Sequence, residues 1–358
     1  MRLEKRIQAF ISLGEFISQF TSNKYKSKNN IPQNDFYFEE MKEQILLAKN
    51  HNGWFTEENI QFACKGWEKA LSEESINKWL VDYQFKNTSP KTIALIMAGN
   101  IPLVGFHDFL SVLISGNKVL VKLSSNDKQL LPLLSNYLIT IEPGFKNYIS
   151  FTEDKLTNFD AVIATGSNNT ARYFEYYFGK YPNIIRKNRN SVAVLTGKET
   201  QNQLENLAND IFRYFGLGCR NVSKLYVPKE YNFDNFFKAM YSWKQVIYDN
   251  KYMNNYDYNK AVYLMSTESS RGKLLDNEFL LLKEDASLSS PIAVIFNESY
   301  DDLGALKKIL KAESKNIQCI VSESGIENEI DFGKTQNPQL WDYADNVDTM
   351  DFLLKLPE

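Results

Sequence analysis

The stretch 93-IALIMAGNIPLVGFHDFLSVLISGNKVLVKLS-124 decides how the chain is read. IALIMAG (93–99) is a short, unbroken apolar run and reads as a strand buried on both faces. VGFHDFLSVLIS (104–115) follows as a helix, and KVLVKLS (118–124) is again a strand. Two such strands bridged by a helix make a βαβ unit, the building block of a parallel sheet.

The alternation continues outward from there. DAVIATG (160–166), SVAVLTG (191–197), KLYVP (224–228), AVYLMS (261–266), PIAVIFN (291–297) and IQCIVSE (317–323) read as strands. Segments 126–139, opened by Asn126 and Asp127, 169–179, 199–214, 231–246 and 301–312 read as helices. Upstream, Leu3, Ile7, Phe10, Leu13, Ile17 and Phe20 recur at helical spacing, and 54-WFTEENIQFACKGWEKAL-71 starts a helix at Thr56. The expected architecture is α/β: a helical N-terminal region over 1–88, one α/β domain over 89–190 and a second over 191–325. The tail 326–358 is expected to pack back on the first domain.

Composition narrows the function. The chain has 358 residues, 43% hydrophobic and 24% charged, the balance of a soluble globular protein. A formal charge of −3 supplies no basic stripe for nucleic acid. Three cysteines at wide spacing (Cys64, Cys219, Cys319) fit neither a disulfide framework nor a CxxC metal site. With only His51 and His107 present, zinc chemistry and a serine–histidine hydrolase are poorly supplied, and no metal is expected. Arg2, Lys5, Arg6 and Glu15 mark the first helix as amphipathic and not as a signal peptide. Asn100, His107 and Asp108 break the most apolar region, so no membrane span is expected there. The expectation is a cytoplasmic protein with reduced thiols.

No GxGxxG follows the first strand. Instead AGNIP (98–102), KLSSND (122–127) and TGSNNT (165–170) deliver small and polar groups at strand ends. Such ends in series suit a nucleotide or phosphate-bearing ligand, and they serve equally as ordinary βα turns and N-caps. Lys122 ends an apolar strand, where a ribose or phosphate partner would account for it as well as snorkelling would. His107-Asp108 reads as a capping or buried hydrogen-bonded pair before a catalytic one. In 214-YFGLGCRNVSKLYVP-228, Cys219 stands in a glycine-lined turn, with Arg220 and Lys224 near enough to favour a thiolate. A nucleophile and a small core residue both fit that position, whereas Cys64 and Cys319 lie on apolar faces and read as inert.

The order of AGNIP, GNKVLVKLSSND, ATGS, the cysteine turn and SLSSPIAVIF resembles the aldehyde dehydrogenase superfamily. More narrowly, the chain is similar to the fatty acyl-CoA reductases typified by the reductase of bacterial luminescence (LuxC type). MAGNIPLVGFHDFL (97–110), ATGSNNTARYFEYYFGKYP (164–182), RKNRNSVAVLTG (186–197), FGLGCRNVSKLYVP (215–228) and GKTQNPQLWDYAD (333–345) carry that likeness, which runs from about residue 54 onward. The resemblance implies an aldehyde dehydrogenase-like fold, with 89–190 binding the cofactor and 191–325 carrying the catalytic cysteine. It implies Cys219 as nucleophile, with the Asn100 amide and the Cys219 N–H holding the oxyanion. It places Lys122 and Ser124 at the cofactor's adenosine ribose, and Thr165, Gly166 and Ser167 against its pyrophosphate.

The departures from the hydrolytic enzymes matter as much. Their water-activating glutamate belongs to a segment represented here by 184-IIRKNRNS-191, which has no carboxylate. Ser287, in 287-SLSSPI-292, stands where they carry a glutamate against the nicotinamide ribose. Ser125 replaces an acidic residue at the ribose, so NADPH is expected ahead of NADH. The implied reaction reduces an acyl-CoA, of fatty type, to the aldehyde through an acyl-cysteine. A cysteine acyltransferase or thioesterase without redox cofactor, and a non-catalytic nucleotide-binding subunit, are the rival readings. The resemblance further implies a protein-bound acyl donor as an alternative to acyl-CoA, an acyl ligase or transferase partner, and a homo-oligomer. Tyr173, Phe174, Tyr176, Tyr177, Phe178, Phe212, Tyr214 and Phe215 are read as core or as the lining of an acyl tunnel.

Overall fold

The chain opens with helices α1 (Leu3–Ile17), α2 (Asn34–His51), α3 (Glu57–Ala70) and α4 (Glu73–Leu80) in a computed structural model that describes residues 1–85, 89–266 and 274–357. The expected domain boundary at residue 88 lies outside the described residues. Thr56 caps α3, its hydroxyl accepting the Asn59 N–H at 3.2 Å, and Ser72 caps α4 in the same way. Two compact units follow from the contacts: residues Met1–Lys187 with Gln339–Glu358, and residues Asn188–Pro338.

In the first unit, β1 (Thr92–Ile96), α5 (Phe106–Ser115), β2 (Lys118–Lys122), α6 (Leu130–Ile141), β3 (Ile149–Phe151), β4 (Ala161–Thr165), α7 (Asn168–Phe178) and β5 (Asn183–Arg186) succeed one another. Their strands form a parallel sheet in the order β3-β2-β1-β4-β5. Both faces are covered, which is why the strands are almost wholly apolar. Ile93, Leu95, Val119, Val121 and Ile163 face α5, α6 and the N-terminal helices, where Phe16 stacks on Tyr137 at 4.2 Å. Ala94, Val162 and Ala164 face α7 through Phe174 and Phe178. Gly116, which ends α5 at φ +93°, also admits Arg6: a Cβ there would lie 2.2 Å from the arginine Nη1. Helix α6 begins later than the expected Asn126, at Leu130. Pro132 occupies its first turn, where a missing N–H is harmless, and Asp127 is engaged elsewhere.

The second unit runs β6 (Asn190–Val194), α8 (Gln201–Phe212), β7 (Val222–Pro228), α9 (Asp234–Met240), α10 (Asn250–Met265), β8 (Leu274–Asp276), β9 (Leu281–Glu284), β10 (Val294–Tyr300), α11 (Leu303–Ala312), β11 (Ile317–Val321) and β12 (Glu329–Ile330). Its sheet has the order β12-β11-β6-β7-β10-β9-β8, parallel except for the β8–β9 pair. The chain then contributes α12 (Thr349–Leu354) to the first unit.

AVYLMS (261–266), expected as a strand, is the last turn of α10 and the residue after it. Asp249 caps that helix, and Tyr252, Tyr256 and Asn259 bury one face at helical spacing. Val262, Leu264 and Met265 face outward, so their apolar run reflects a helix surface and not a buried strand. The expected helix over 231–246 divides into α9 and a 3-10 stretch, Tyr241–Tyr248.

Candidate active site

In the first unit the expected ligand-binding residues gather at one edge of the sheet. Lys122 and Thr165 end β2 and β4, and Asn100, Gly166 and Ser167 follow the carboxyl ends of β1 and β4; the three strands lie side by side with Ile96 opposite both Lys122 and Ala164. From β1 the chain builds outward through β2 to β3, then returns to place β4 on the other flank of β1. That reversal is the switch point at which open parallel sheets bind ligands.

The loops at this edge are interlocked. Gly99 packs so tightly on the KLSSND turn that a Cβ would lie 2.6 Å from the Ser124 Oγ. The Asn52 side chain donates to the Gly99 carbonyl at 3.2 Å and to the Asn126 carbonyl at 3.3 Å, bridging the two loops. The Leu103 N–H donates to the Asp127 carboxyl. Burial pushes that carboxyl up to about 6, the Leu103 N–H drawing it back. Asn100 sits half-buried within this braced loop. Asn52 was invisible to sequence reasoning, because it lies far upstream at the end of α2.

Lys122 directs its ammonium to the carbonyls of Glu153 and Asp154, at 3.2 and 2.8 Å, leaving one of its N–H bonds for another acceptor. Ser124 accepts the Asn126 N–H at 3.3 Å, and Ser125 is exposed beside it. Ser167 caps α7 by accepting the Thr170 N–H at 3.2 Å. A Cβ on Gly166 would meet Phe174 at 2.9 Å, so glycine sets the helix close against its strand. The exposed Ser167 turn thus offers an anion the N-terminus of an 11-residue helix.

His107 and Asp108 do not act as a pair. A His107 ring nitrogen meets the Leu340 carbonyl at 2.8 Å, while Asp108 is buried against Arg186, which also donates to the Thr349 hydroxyl at 2.9 Å. Arg186, inside the carboxylate-free 184–191 segment, thereby serves the first unit's core. Of the aromatic residues on α7, Tyr173, Tyr176 and Tyr177 are exposed. Phe212 and Phe215 do border a small pocket, partly open to solvent, with Val222, Tyr252 and Leu280.

The second unit carries the cysteine. After α8, Tyr214, Phe215 and Gly216 take left-handed conformations in succession (φ 54°, 58° and 76°). For the two aromatic residues this costs about 1–2 kcal/mol each, offset by their burial. The chain then turns through Gly218–Asn221 into β7, and Cys219 projects outward, exposed. Its counterparts differ sharply. Cys64 is fully buried and burial pushes its thiol up to about 12; Cys319 is 3% exposed. The cations expected beside Cys219 have other engagements. Arg220 donates to the Cys319 sulfur at 3.5 Å, and the buried Lys224 ammonium bonds the Ala286 carbonyl at 2.7 Å and Glu298 at 2.5 Å.

Asn221 and Ser191 are the other polar side chains that hold this turn. Asn221 bonds Gly218 and the last carbonyls of α8, and the Ser191 hydroxyl donates to the Cys219 carbonyl at 2.9 Å. No group of histidine, cysteine and carboxylate side chains suited to a metal occurs among the described residues. Nor is any described helix long and apolar enough to cross a membrane.

No curated protein matches the chain in sequence. Among solved structures it is similar to the aldehyde dehydrogenase KauB from Pseudomonas aeruginosa, with TM-score 0.63 and 14% identity over 90% of this chain and 72% of that one. Aldehyde dehydrogenase 21 from Physcomitrella patens, solved with the product succinate, gives TM-score 0.60 and 12% identity over 90% and 77%. An aldehyde dehydrogenase from Bacillus cereus, solved with NAD+, gives TM-score 0.58 and 12% identity over 90% and 72%. These likenesses show an aldehyde dehydrogenase-like fold. A family model described as acyl-CoA reductase (LuxC) matches residues 3–243. With more than half its length so matched, the chain belongs to the LuxC family of acyl-CoA reductases, aldehyde-forming oxidoreductases.

Proposed function

We propose that this protein reduces a fatty acyl-CoA to the aldehyde with NADPH, through an acyl group carried on Cys219. The observation that carries the reading is the contrast among the cysteines: Cys219 alone of the three is exposed, on a glycine turn braced by neighbouring side chains. As thiolate, Cys219 attacks the thioester carbonyl. The Sγ–carbon bond forms while the carbonyl π electrons move to oxygen, where the Cys219 N–H and the Asn100 amide donate to the oxyanion. The oxyanion then collapses, the coenzyme A thiolate departs, and the acyl group stays on Cys219 as a thioester.

A reduced nicotinamide, when bound, would supply the hydride that converts this acyl group to the aldehyde, the Sγ–carbon bond breaking to restore the Cys219 thiolate. The Thr165-Gly166-Ser167 turn suits its pyrophosphate, since a helix N-terminus favours anions. The remaining Lys122 N–H and Ser124 suit the adenosine ribose. The uncharged Ser125 leaves room for a 2′-phosphate. The 184–191 segment offers no carboxylate to activate water, which supports transfer to hydride over hydrolysis. The NAD+ bound in the Bacillus cereus structure supports a nicotinamide on this fold.

The test is a chase. Protein incubated with radiolabelled octanoyl-CoA should retain label on wild type and none on Cys219→Ala, and NADPH should release that label as octanal. Equal labelling of both proteins, or release as octanoic acid without reductant, would overturn the reading.

A further inference from the structure

We infer that Asn221 is a positioning residue for acyl transfer, aiming the Cys219 N–H at the developing oxyanion; this rests on the reading of Cys219 as nucleophile. Three successive peptide planes around the cysteine are tied by hydrogen bonds. The Gly218 N–H donates to the Asn221 Oδ1 at 2.8 Å. The Gly218 carbonyl accepts the Asn221 backbone N–H at 2.9 Å. The Cys219 carbonyl accepts the Ser191 hydroxyl at 2.9 Å.

The second of these bonds, made by the Asn221 main chain and held in place by the bonds of its side chain, sets the direction of the Cys219 N–H. In a trans peptide the N–H and C=O of one plane point in opposite directions. With the Gly218 carbonyl drawn towards Asn221, the Cys219 N–H is turned away from it. Asn221 is itself immobile. Its amide nitrogen donates to the carbonyls of Asp210 at 3.0 Å, Ile211 at 3.3 Å and Arg213 at 2.8 Å, which are the orphan acceptors at the end of α8. At 3% exposure it cannot itself touch a substrate, so its effect on chemistry runs through the turn. The left-handed residues Tyr214, Phe215 and Gly216 lie between that helix end and the turn. Such strain persists only where surrounding bonds over-determine it, and the Asn221 amide closes this loop on itself.

Two reactions at the same sulfur separate positioning from mere stability. Iodoacetamide forms the Sγ–carbon bond as iodide leaves and develops no oxyanion. Octanoyl-CoA forms the Sγ–acyl bond through an oxyanion and releases the coenzyme A thiolate. Both are followed on the Cys219 peptide of the full-length protein by mass spectrometry. Losing a whole oxyanion donor costs on the order of 10²–10³ in rate, so a misaimed donor should cost about tenfold or more. Asn221→Ala is therefore expected to acylate at least about tenfold slower while alkylating within about twofold of wild type. Ser191→Ala, which loosens only the neighbouring plane, is expected to show the same split at about threefold, and it carries the test if Asn221→Ala does not fold. Equal loss in both reactions, or acylation at the wild-type rate, overturns the inference alone. Wild-type protein that alkylates at Cys219 and never acylates overturns the reading of Cys219, and this inference with it.

Discussion

Ser125 is the residue on which we propose that cofactor choice turns. It is exposed beside Ser124 at the carboxyl end of β2, where a carboxylate would repel a 2′-phosphate. Ser125→Asp should therefore shift the ratio of kcat/KM for NADPH over NADH towards NADH by about tenfold, the equivalent of about 1.4 kcal/mol. An unchanged ratio would sink the proposed role of this position. At this scale the placement of Lys122 and the Thr165–Ser167 turn at one edge of the sheet was legible, because a lysine ending an apolar strand and a TGS turn are local signals. The engagements of charged side chains were not. Lys224 was expected to assist a thiolate five residues away, yet it lies on β7 committed to Glu298 across the sheet. The partners of Asn52, Ser191 and Asp127, the last expected to open a helix, were hidden for the same reason: they are set by tertiary packing. Asn221, two residues from the cysteine, was within reach, since asparagine in a turn readily bonds nearby backbone.

One buried ion pair ties three elements of the first unit together. Asp108 on α5 meets Arg186 on β5, and Arg186 meets Thr349 at the start of α12. Removing one partner strands the other charge in the core, at a cost of about 3–5 kcal/mol. Asp108→Ala should lower the unfolding midpoint accordingly, and Asp108→Leu combined with Arg186→Met should recover most of the loss. A loss below about 1 kcal/mol in the single variant would show the pair to be solvated and dispensable. Element types were legible wherever an apolar run was bounded by turn residues, as in β1, β2, β4, β6 and β11. They failed at α10, where AVYLM looks like a strand but belongs to a helix whose buried face is upstream. The short strands β3, β5 and β8 are too brief to show a period, and only pairing with longer neighbours makes them strands.

Across the second unit, Asp210 joins the end of α8, the helix before the cysteine turn, to the GKTQNP segment. Its carboxylate, fully buried, accepts the N–H groups of Gly333 and Thr335 at 2.6 and 3.0 Å and the Thr335 hydroxyl at 2.8 Å. Burial outweighs these donors and pushes the acid up to about 6. In the opened chain the same group titrates near 3.9, so between about pH 4 and 6 the folded unit keeps a proton that the opened one has released. Raising the pH through that window weakens the fold. The contribution is fully present below about pH 4 and lost above about pH 6, amounting to about 3 kcal/mol, or roughly a hundredfold in the opening equilibrium. Hydrogen exchange at Gly333 and Thr335 reads that opening directly. Corrected for intrinsic exchange and compared with Asp210→Asn, whose amide does not titrate, wild-type protection should fall from pH 4 to pH 6.5. A difference between the two proteins that stays flat with pH would mean that Asp210 is ionised throughout, with its three donors outweighing its burial. The segment tied down here, 333–335, lies in the unit that carries Cys219, and Asp210 also offers its own carbonyl to Asn221. A loss of protection at Gly333 should therefore be accompanied by faster exchange at Gly218, whose N–H depends on the same asparagine.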